Sequence, residues 1–245
     1  MTIIEIRRQV AIVGQVTAAG SGERLGGAEV RLTNAPPGFV NRLVTIAKGM
    51  PISASTVTAA QAILADGGAN DVMRLQAAQR ILDFLQTQRL FTSRRVDRTQ
   101  AAADGIFFFT DLPAGPYTLS ATVAGAGTRY SVGQTNATVT STNGDIPPTS
   151  ADIVVPSTTL RGRITGPSLD GEEGSGPVPM AMIQVRGSGE RTYSDAAGDY
   201  RLSAIEIGQR MLTITARGYR LQEQPVVFAQ AGDEQLINIV LNPSP

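Results

Sequence analysis

The side chains best suited to bind a metal ion are the carboxylates of an acidic stretch in the second half of the chain. Residues 170–176 are Asp-Gly-Glu-Glu-Gly-Ser-Gly, so three carboxylates fall within four positions. A helix-flanked calcium loop places its oxygen ligands at alternate positions and ends on a further carboxylate. That order is missing here, and we therefore interpret the stretch as a solvated loop. The prediction is that the protein binds no metal ion and no cofactor.

Four other aspartates lie beside turn glycines, where paired carboxylates could act as an acid and a base. They are Asp104, Asp111, Asp195 and Asp199. At such positions aspartate commonly accepts hydrogen bonds from the backbone of its own turn, which favours a structural role. The chain has neither histidine nor cysteine, so it lacks the usual general base, thiolate nucleophile and zinc ligands. The sequence therefore predicts no enzymatic activity; a hydrolase with an unusually activated serine is the weaker alternative.

Basic side chains concentrate in one segment of the first half. The four arginines of this cluster are Arg89, Arg94, Arg95 and Arg98. Residues 34–102 carry eight basic and four acidic side chains, a net charge of +4, whereas residues 161–245 carry eight basic and ten acidic ones, a net charge of −2. One interpretation is an electrostatic patch for an acidic partner, such as a neighbouring subunit. The other is a solvated helix end, where arginines interact favourably with the C-terminal dipole.

The composition is that of a chain that buries a core. Of 245 residues, 42% are hydrophobic and 17% are charged, and 26 glycines and 14 prolines favour short strands joined by turns. The net charge of zero argues against nucleic acid or an anionic membrane as a partner. No apolar run approaches the roughly 18 residues of a membrane span, so no membrane insertion is predicted. Charges within the first ten positions interrupt a conventional signal peptide, which predicts a location in the cytoplasm or in a particle assembled there.

The elements that must position these residues follow a repeat. In each half, a glycine that opens an apolar strand is followed ten residues later by a glycine that opens an alternating strand, at Gly105 and Gly115 and again at Gly198 and Gly208. The interval between this pair and the first strand is 55 residues longer in the first half than in the second. We therefore predict two β modules, the first of which carries an insertion.

The inserted segment is predicted to form a helical hairpin. Residues 34–38, Asn-Ala-Pro-Pro-Gly, are typical of a turn. A short helix is expected over about 55–65, with a serine N-cap at position 53 or 55. A longer helix is expected over about 71–91, with Asn70 or Asp71 as its N-cap.

The longer helix has an apolar stripe that must be buried. The stripe consists of Leu75, Ala78, Leu82 and Leu85. Residues 106–109 are apolar on both faces of a predicted strand, and we expect one face in the sandwich core and the other under the helices. Leu64, Ile81 and Phe84 point to other sides of the helices and are predicted to contact a partner.

The motifs of the two halves resemble the carboxypeptidase regulatory-like domain, also described as transthyretin-like or prealbumin-like. The first half carries Gly14-Gln-Val16, Gly27-Ala-Glu-Val-Arg-Leu32, Ala103-Asp-Gly105-Ile-Phe107 and Leu112-Pro-Ala-Gly-Pro-Tyr-Thr-Leu119. The second half carries Gly162-Arg-Ile164, Ala181-Met-Ile-Gln-Val185, Ser194-Asp-Ala-Ala-Gly-Asp-Tyr200 and Ile207-Gly208. Because Arg210 stands where the first half has Tyr117, the second copy is expected to be the more divergent.

This resemblance implies a mainly β fold of two tandem antiparallel β-sandwiches of the Ig-like or transthyretin-like kind, with the helical hairpin inserted in the first. The predicted domains are residues 1–156, with the insertion at about 34–102, and residues 157–245. Members of the family are accessory modules of many proteins, so the resemblance does not specify one function.

The leading functional hypothesis is a non-enzymatic bacterial structural protein whose modules and insert mediate contacts with a protein partner or another copy. Strings of such modules occur in phage-tail-like contractile injection particles, which suggests an accessory component of one. The predicted partner-binding residues are Leu64, Ile81, Phe84, Arg89, Arg94, Arg95 and Arg98. The alternative is a carbohydrate- or surface-binding adhesive module, with Tyr130, Tyr193 and Tyr219 as its aromatic platform, since the chain has no tryptophan.

Overall fold

The protein forms two compact units. The computed structural model describes residues 8–49, 54–142, 145–168 and 174–245. Among these residues, unit 1 comprises 8–17, 24–123 and 133–154, and unit 2 comprises the rest, including two short segments, 18–23 and 124–132, that precede its main part.

Unit 1 is a β-sandwich of two four-stranded sheets. Its strands are β1 (Val10–Ala18), β2 (Glu29–Asn34), β3 (Arg98–Gln100), β4 (Ile106–Thr110), β5 (Gly115–Thr122), β6 (Gly133–Val139), β7 (Thr149–Ser150) and β8 (Ile153–Val155). One sheet has the order β4-β1-β7, with β8 also paired to β1, and the other has the order β3-β2-β5-β6. The alternation of Ala28, Val30 and Leu32 predicts one buried face for β2, and all three side chains are fully buried.

The insertion contains three helices: α1 (Pro37–Lys48), α2 (Ser55–Ala65) and α3 (Asp71–Thr87). The prediction of a two-helix hairpin is therefore wrong, because residues 34–38 contain the start of α1 rather than a turn. Proline is favoured in the first turn of a helix, where its missing N–H needs no acceptor. The buried side chains of α1 follow a helical spacing; they are Phe39, Val40, Leu43, Val44 and Ala47.

The two predicted helices are present with shifted ends. Asn70 caps α3, since its Oδ1 accepts a hydrogen bond from the Met73 N–H at 2.9 Å. The helix ends at Thr87, four residues before the predicted limit. Ala54 is the N-cap of α2 and makes no side-chain hydrogen bond, so the serine cap expected at Ser55 is wrong; position 53 lies outside the described residues.

The insert packs on a different surface from the one predicted. The stripe of α3 is buried as expected, but α3 lies against α1, α2 and β2. The Gln79 side-chain amide donates to the Leu32 carbonyl at 2.8 Å, and the Phe39 ring meets Tyr117 edge-on at 6.0 Å between centroids. Ile106 and Phe108 of β4 are each 42% exposed, so the helices do not bury its outer face. The expected packing of the helices on β4 is wrong.

Unit 2 repeats the sandwich, and its described residues contain no helix. Its strands are β9 (Thr159–Pro167), β10 (Ser175–Pro177), β11 (Met182–Val185), β12 (Arg191–Tyr193), β13 (Asp199–Ser203), β14 (Gly208–Thr215), β15 (Gln222–Phe228), β16 (Glu234–Leu236) and β17 (Ile239–Val240). One sheet has the order β10-β9-β13, with β16 and β17 also paired to β9, and the other has the order β12-β11-β14-β15. β7 runs parallel to β1, and β16 and β17 run parallel to β9. All pairs within the sheets β3-β2-β5-β6 and β12-β11-β14-β15 are antiparallel, as are the pairs β1–β4, β9–β10 and β9–β13.

A glycine at the equivalent position of the first strand allows a later part of the chain to pass close to that strand in both units. Gly14 on β1 faces Phe107, and Gly162 on β9 faces Tyr200. A Cβ at Gly14 would overlap the carbonyl of Ala151, and one at Gly162 would overlap the carbonyl of Ile237. The glycines repeated in the sequence are therefore required by the close approach of the last part of each sandwich to its first strand.

Replacing Gly162 with alanine is expected to lower the free energy of unfolding of unit 2 by about 1–3 kcal/mol, because the new methyl group must displace backbone. Gly176→Ala is the matched control, since nothing lies within 4 Å of the Cβ it would add. Urea denaturation of the two variants measures the difference. Equal stability of both variants would show that the backbone around Ile237 can move away from position 162 at little cost.

Candidate functional site

The arginine-rich segment begins where α3 ends. Arg89 adopts a left-handed conformation with a φ of 57°, and the next N–H, that of Leu90, donates to the Leu85 carbonyl at 2.8 Å. This is the geometry with which helices commonly terminate. Arg89 is exposed, and its backbone directs the chain from α3 back towards β3.

Arg95 and Asp97 form a buried ion pair at the base of this segment. The Asp97 side chain is 0% exposed and that of Arg95 is 4% exposed. Arg95 Nε and Nη2 donate to the two carboxylate oxygens of Asp97, both at 2.8 Å, and Nη1 donates to Asp83 Oδ1 at 2.7 Å. The Asp97 carbonyl accepts from the Leu32 N–H at 2.9 Å. The pair therefore ties α3 to β2.

Further charges on β2 and β3 complete the arrangement around Asp83. Arg31 Nη1 lies 3.0 Å from Asp83 Oδ2, and Arg98 Nη1 lies 3.2 Å from Asp83 Oδ1. Glu29 pairs with both arginines. Burial raises the pKa of Asp83, but hydrogen bonds and charges from Arg95 and Arg31 outweigh it, so that its pKa lies below the ordinary value. Asp83 is therefore ionised at neutral pH.

We call this group the ion-pair cluster; its members are Arg31, Arg95, Arg98, Glu29, Asp83 and Asp97. Three positive charges balance three negative ones, and every member has a partner within the group. The arrangement explains why Arg95 and Arg98 follow α3: they hold the insert on the sheet. Both arginines already pair with carboxylates. The prediction that they contact a partner is wrong for Arg95, which is buried, and stays a prediction for Arg98.

A small cavity beside the ion-pair cluster is lined in part by arginines that, unlike those of the cluster, are not paired with a described carboxylate. Its volume is about 220 Å³, and its wall includes Arg8, Arg42 and Arg94 together with Arg95 and Arg98 of the cluster. One acidic residue, Asp111, also lines it. Arg42 Nη1 donates to the Asp111 carbonyl at 3.4 Å, and the Arg94 guanidinium lies 5.6 Å from the Phe108 ring centroid. Within the described part of the chain, Arg8, Arg42 and Arg94 have no carboxylate partner. We call this cavity the arginine pocket.

An exposed apolar surface adjoins the arginine pocket. Phe108 lines the pocket and shares the outer face of β4 with Ile106, and Val13 lies opposite Phe108 on β1. Arginine and aromatic side chains are enriched at protein–protein interfaces, and contiguous exposed apolar patches commonly mark interaction sites. The arrangement suits an anionic group with apolar neighbours.

The other residues predicted to bind a partner occupy varied positions. Leu64 is 6% exposed and Ile81 is 2% exposed, so both belong to the core, and their expected orientation towards a partner is wrong. The reason is the third helix: α3 packs against both α1 and α2, which buries more of its surface than a hairpin would. Phe84 is half-buried, and Arg89 and Arg94 are exposed. Partner binding by these last three stays a prediction.

The turn aspartates have structural partners. Asp104 Oδ1 accepts from the Ile106 N–H at 3.0 Å, and Asp195 Oδ1 accepts from the N–H groups of Ala197 and Asp199 at 2.9 Å. Asp111 instead accepts from the Gln9 N–H at 3.1 Å. The carboxylate of Asp199 does not cap its own turn; it forms a bidentate pair with Arg163 at 2.7 and 3.0 Å.

The tyrosines predicted as a glycan platform differ in environment. Tyr193 is 49% exposed and lines an open groove of about 700 Å³ in unit 2. Tyr219 donates its hydroxyl to the Pro167 carbonyl at 2.8 Å, and Tyr130 is half-buried. The arginines of the groove already pair with carboxylates, as Arg163 does with Asp199.

The acidic stretch cannot be placed, because residues 169–173 lie outside the described residues. Elsewhere in the described ranges, no group of three or more His, Cys, Asp or Glu side chains could hold a metal ion. No helix in the described ranges combines the length and the apolar character that crossing a bilayer requires.

Residues 159–242 match the family model described as the carboxypeptidase regulatory-like domain. The predicted family resemblance is confirmed by this match, which covers most of unit 2. The match leaves out the first sandwich, in which the insert separates β2 from β3. The expectation that the second copy is the more divergent stays a prediction. No curated protein matches the sequence.

Several solved structures are distantly similar. The shaft pilin SpaA from Lactobacillus rhamnosus GG is 11% identical with a TM-score of 0.37, and the alignment covers 98% of this chain and 99% of the pilin. The minor pilin GBS52 from Streptococcus agalactiae is 14% identical with a TM-score of 0.29, and 96% of each chain is covered.

A type II cohesin–X-dockerin complex from Acetivibrio cellulolyticus is 17% identical with a TM-score of 0.28 over 35% of this chain. The chain spans 57% of the length of that matched chain. At these identities and TM-scores, the similarities carry no conclusion about function.

Proposed function

We propose that this chain is a non-enzymatic structural protein that assembles with a protein partner through the arginine pocket and the outer face of β4. The observation that carries the proposal is the pocket itself. Arg8, Arg42 and Arg94 line it without a carboxylate partner among the described residues, beside the exposed ring of Phe108. The match of unit 2 to a regulatory-like module supports a role other than catalysis.

The partner surface is acidic with apolar residues around it. A carboxylate that enters the pocket gains charge-assisted hydrogen bonds from guanidinium groups, and apolar neighbours cover Phe108 and Ile106. Such a contact is steered by charge and weakens as salt increases. The finer setting that we propose is an accessory position in a phage-tail-like contractile injection particle assembled in the bacterial cytoplasm; it rests on the tandem repeat of modules alone.

Sedimentation of the chain in a native lysate tests this function. The wild type is expected to sediment in particles much larger than its own 25.7 kDa. The variant Arg42→Gln/Arg94→Gln should sediment as the free chain. Arg217→Gln is the control, because Arg217 is an exposed arginine of unit 2 outside the pocket. A wild type that sediments as a free chain, or a pocket variant that behaves like the control, would contradict the proposal.

Carbohydrate binding at the groove of unit 2 is the second candidate. The exposed Tyr193 ring favours it, because sugars stack on aromatic faces. Binding of the wild type on a glycan array that is lost in Tyr193→Ala would support it, and an array without signal at high protein concentration would exclude it.

A further inference from the structure

The arginine pocket has the size of a site for side chains rather than for a metabolite. Small-molecule sites usually enclose about 300–1,000 Å³, whereas this cavity has about 220 Å³. A water molecule takes about 30 Å³ of liquid volume, so the pocket has the volume of about seven water molecules, which is enough for small anionic groups such as carboxylates. Three guanidinium groups without a carboxylate partner in the described ranges, those of Arg8, Arg42 and Arg94, line it with one acidic residue, Asp111, so the excess of positive charge favours anions.

The chain itself carries a segment with the matching chemistry. Asp170, Glu172 and Glu173 lie within four positions, and no basic residue occurs between Arg163 and Arg186. Leu169, directly before them, adds an apolar side chain next to the carboxylates. The acidic segment lies outside the described residues, and the described ranges hold no cluster of three His, Cys, Asp or Glu side chains arranged to bind an ion.

The charges of the two regions are complementary on a larger scale as well. Residues 34–102, which supply Arg42 and Arg94, have a net charge of +4, and residues 161–245, which contain the acidic segment, have a net charge of −2. Charge complementarity of this kind brings surfaces together in one orientation and disfavours the reverse one.

We propose that the arginine pocket of one copy binds the acidic segment, Asp170 to Glu173, of a second copy of this chain. The proposal rests on the proposed function and names the partner. Because the pocket and the segment are different surfaces, the interface is heterologous: in a pair of copies, one copy keeps a free pocket and the other keeps a free acidic segment. Copies therefore add head to tail, and the assembly weakens with salt.

Sedimentation velocity of the purified full chain tests the proposal. The wild type is expected to form species larger than 25.7 kDa as its concentration rises, and to return to the monomer in 1 M NaCl. The pocket variant Arg42→Gln/Arg94→Gln and the segment variant Asp170→Asn/Glu172→Gln/Glu173→Gln should each remain monomeric. Arg217→Gln should associate like the wild type.

Mixing the two neutral variants is the decisive measurement. The segment variant keeps an intact pocket and the pocket variant keeps an intact acidic segment, so an equimolar mixture is expected to form one species of twice the chain mass that does not grow further. Complementation also shows that both variants are folded. A wild type that stays monomeric at all concentrations, a segment variant that still associates, or a mixture that stays monomeric would overturn the proposal.

These results can be separated from the proposed function. The purified wild type could stay monomeric while, in the lysate, the pocket variant no longer sediments with the large particles. In that case the pocket binds another acidic protein, and a second copy is excluded as the partner. If the pocket variant also keeps its sedimentation in the lysate, both proposals are wrong.

Discussion

Replacing Asp97 with alanine is expected to lower the free energy of unfolding of unit 1 by about 3–5 kcal/mol. The substitution leaves the guanidinium of Arg95 buried without the carboxylate that it contacts through two hydrogen bonds. Removing one partner of a buried ion pair costs this much because the remaining charge is neither hydrated nor neutralised. Since Arg95 also contacts Asp83 on α3, the helix should detach from β2 first.

Urea denaturation measures the loss, and hydrogen exchange of the α3 amides shows where it occurs. Asp199→Ala is the matched control, because the Arg163–Asp199 pair has similar geometry with both side chains about half exposed, at 53% and 49%. Exposed pairs contribute about 0–1 kcal/mol. Equal effects of the two substitutions would mean that the ion-pair cluster does not hold the insert.

Replacing Leu82 with aspartate is expected to cost about 4 kcal/mol or more. Leu82 is 1% exposed on α3, so the substitution removes apolar contacts and forces a carboxylate either into the core or out of the helix packing. The insert should unfold or separate from the sheet, with loss of helical circular dichroism at a lower urea concentration.

Gln76→Asp on the same helix is the control, because Gln76 is exposed. Its replacement lowers the helix propensity by about as much as Leu82→Asp does, so the difference between the two variants reports the loss of packing. The described residues of unit 2 include no helix, and its sandwich should retain its protection from hydrogen exchange in both variants. A Leu82→Asp variant with wild-type helix content and stability would show that the stripe of α3 is not part of a packed core.

The strands and their repeat follow from local patterns, and the sequence alone was sufficient for them. Alternation at Ala28, Val30 and Leu32 has a period of two, which only a strand with one buried face satisfies. The paired turn glycines and the long interval in the first half located the insertion and the capped helix α3. Each of these signals is carried by residues that are neighbours along the chain.

Helix α1 shows where local signals were insufficient. Pro36 and Pro37 suggested a turn, but proline also occurs in the first turn of a helix, and Phe39 and Leu43 of α1 are buried in the structure. Packing against α1 and α2 also decided that Ile81 is buried. The outer face of β4 is exposed because α3 packs against β2 instead.

The candidate site was decided by tertiary structure to a greater degree. Arginines 94, 95 and 98 look alike in sequence, but Arg95 and Arg98 meet Asp83, which lies on α3, and are neutralised there. Arg94 instead joins Arg8 and Arg42, which are 86 and 52 positions away in the chain, to form the pocket. An arginine is free or paired according to which charges folding brings within a few ångströms, and contacts over such separations leave no periodic signal in the sequence.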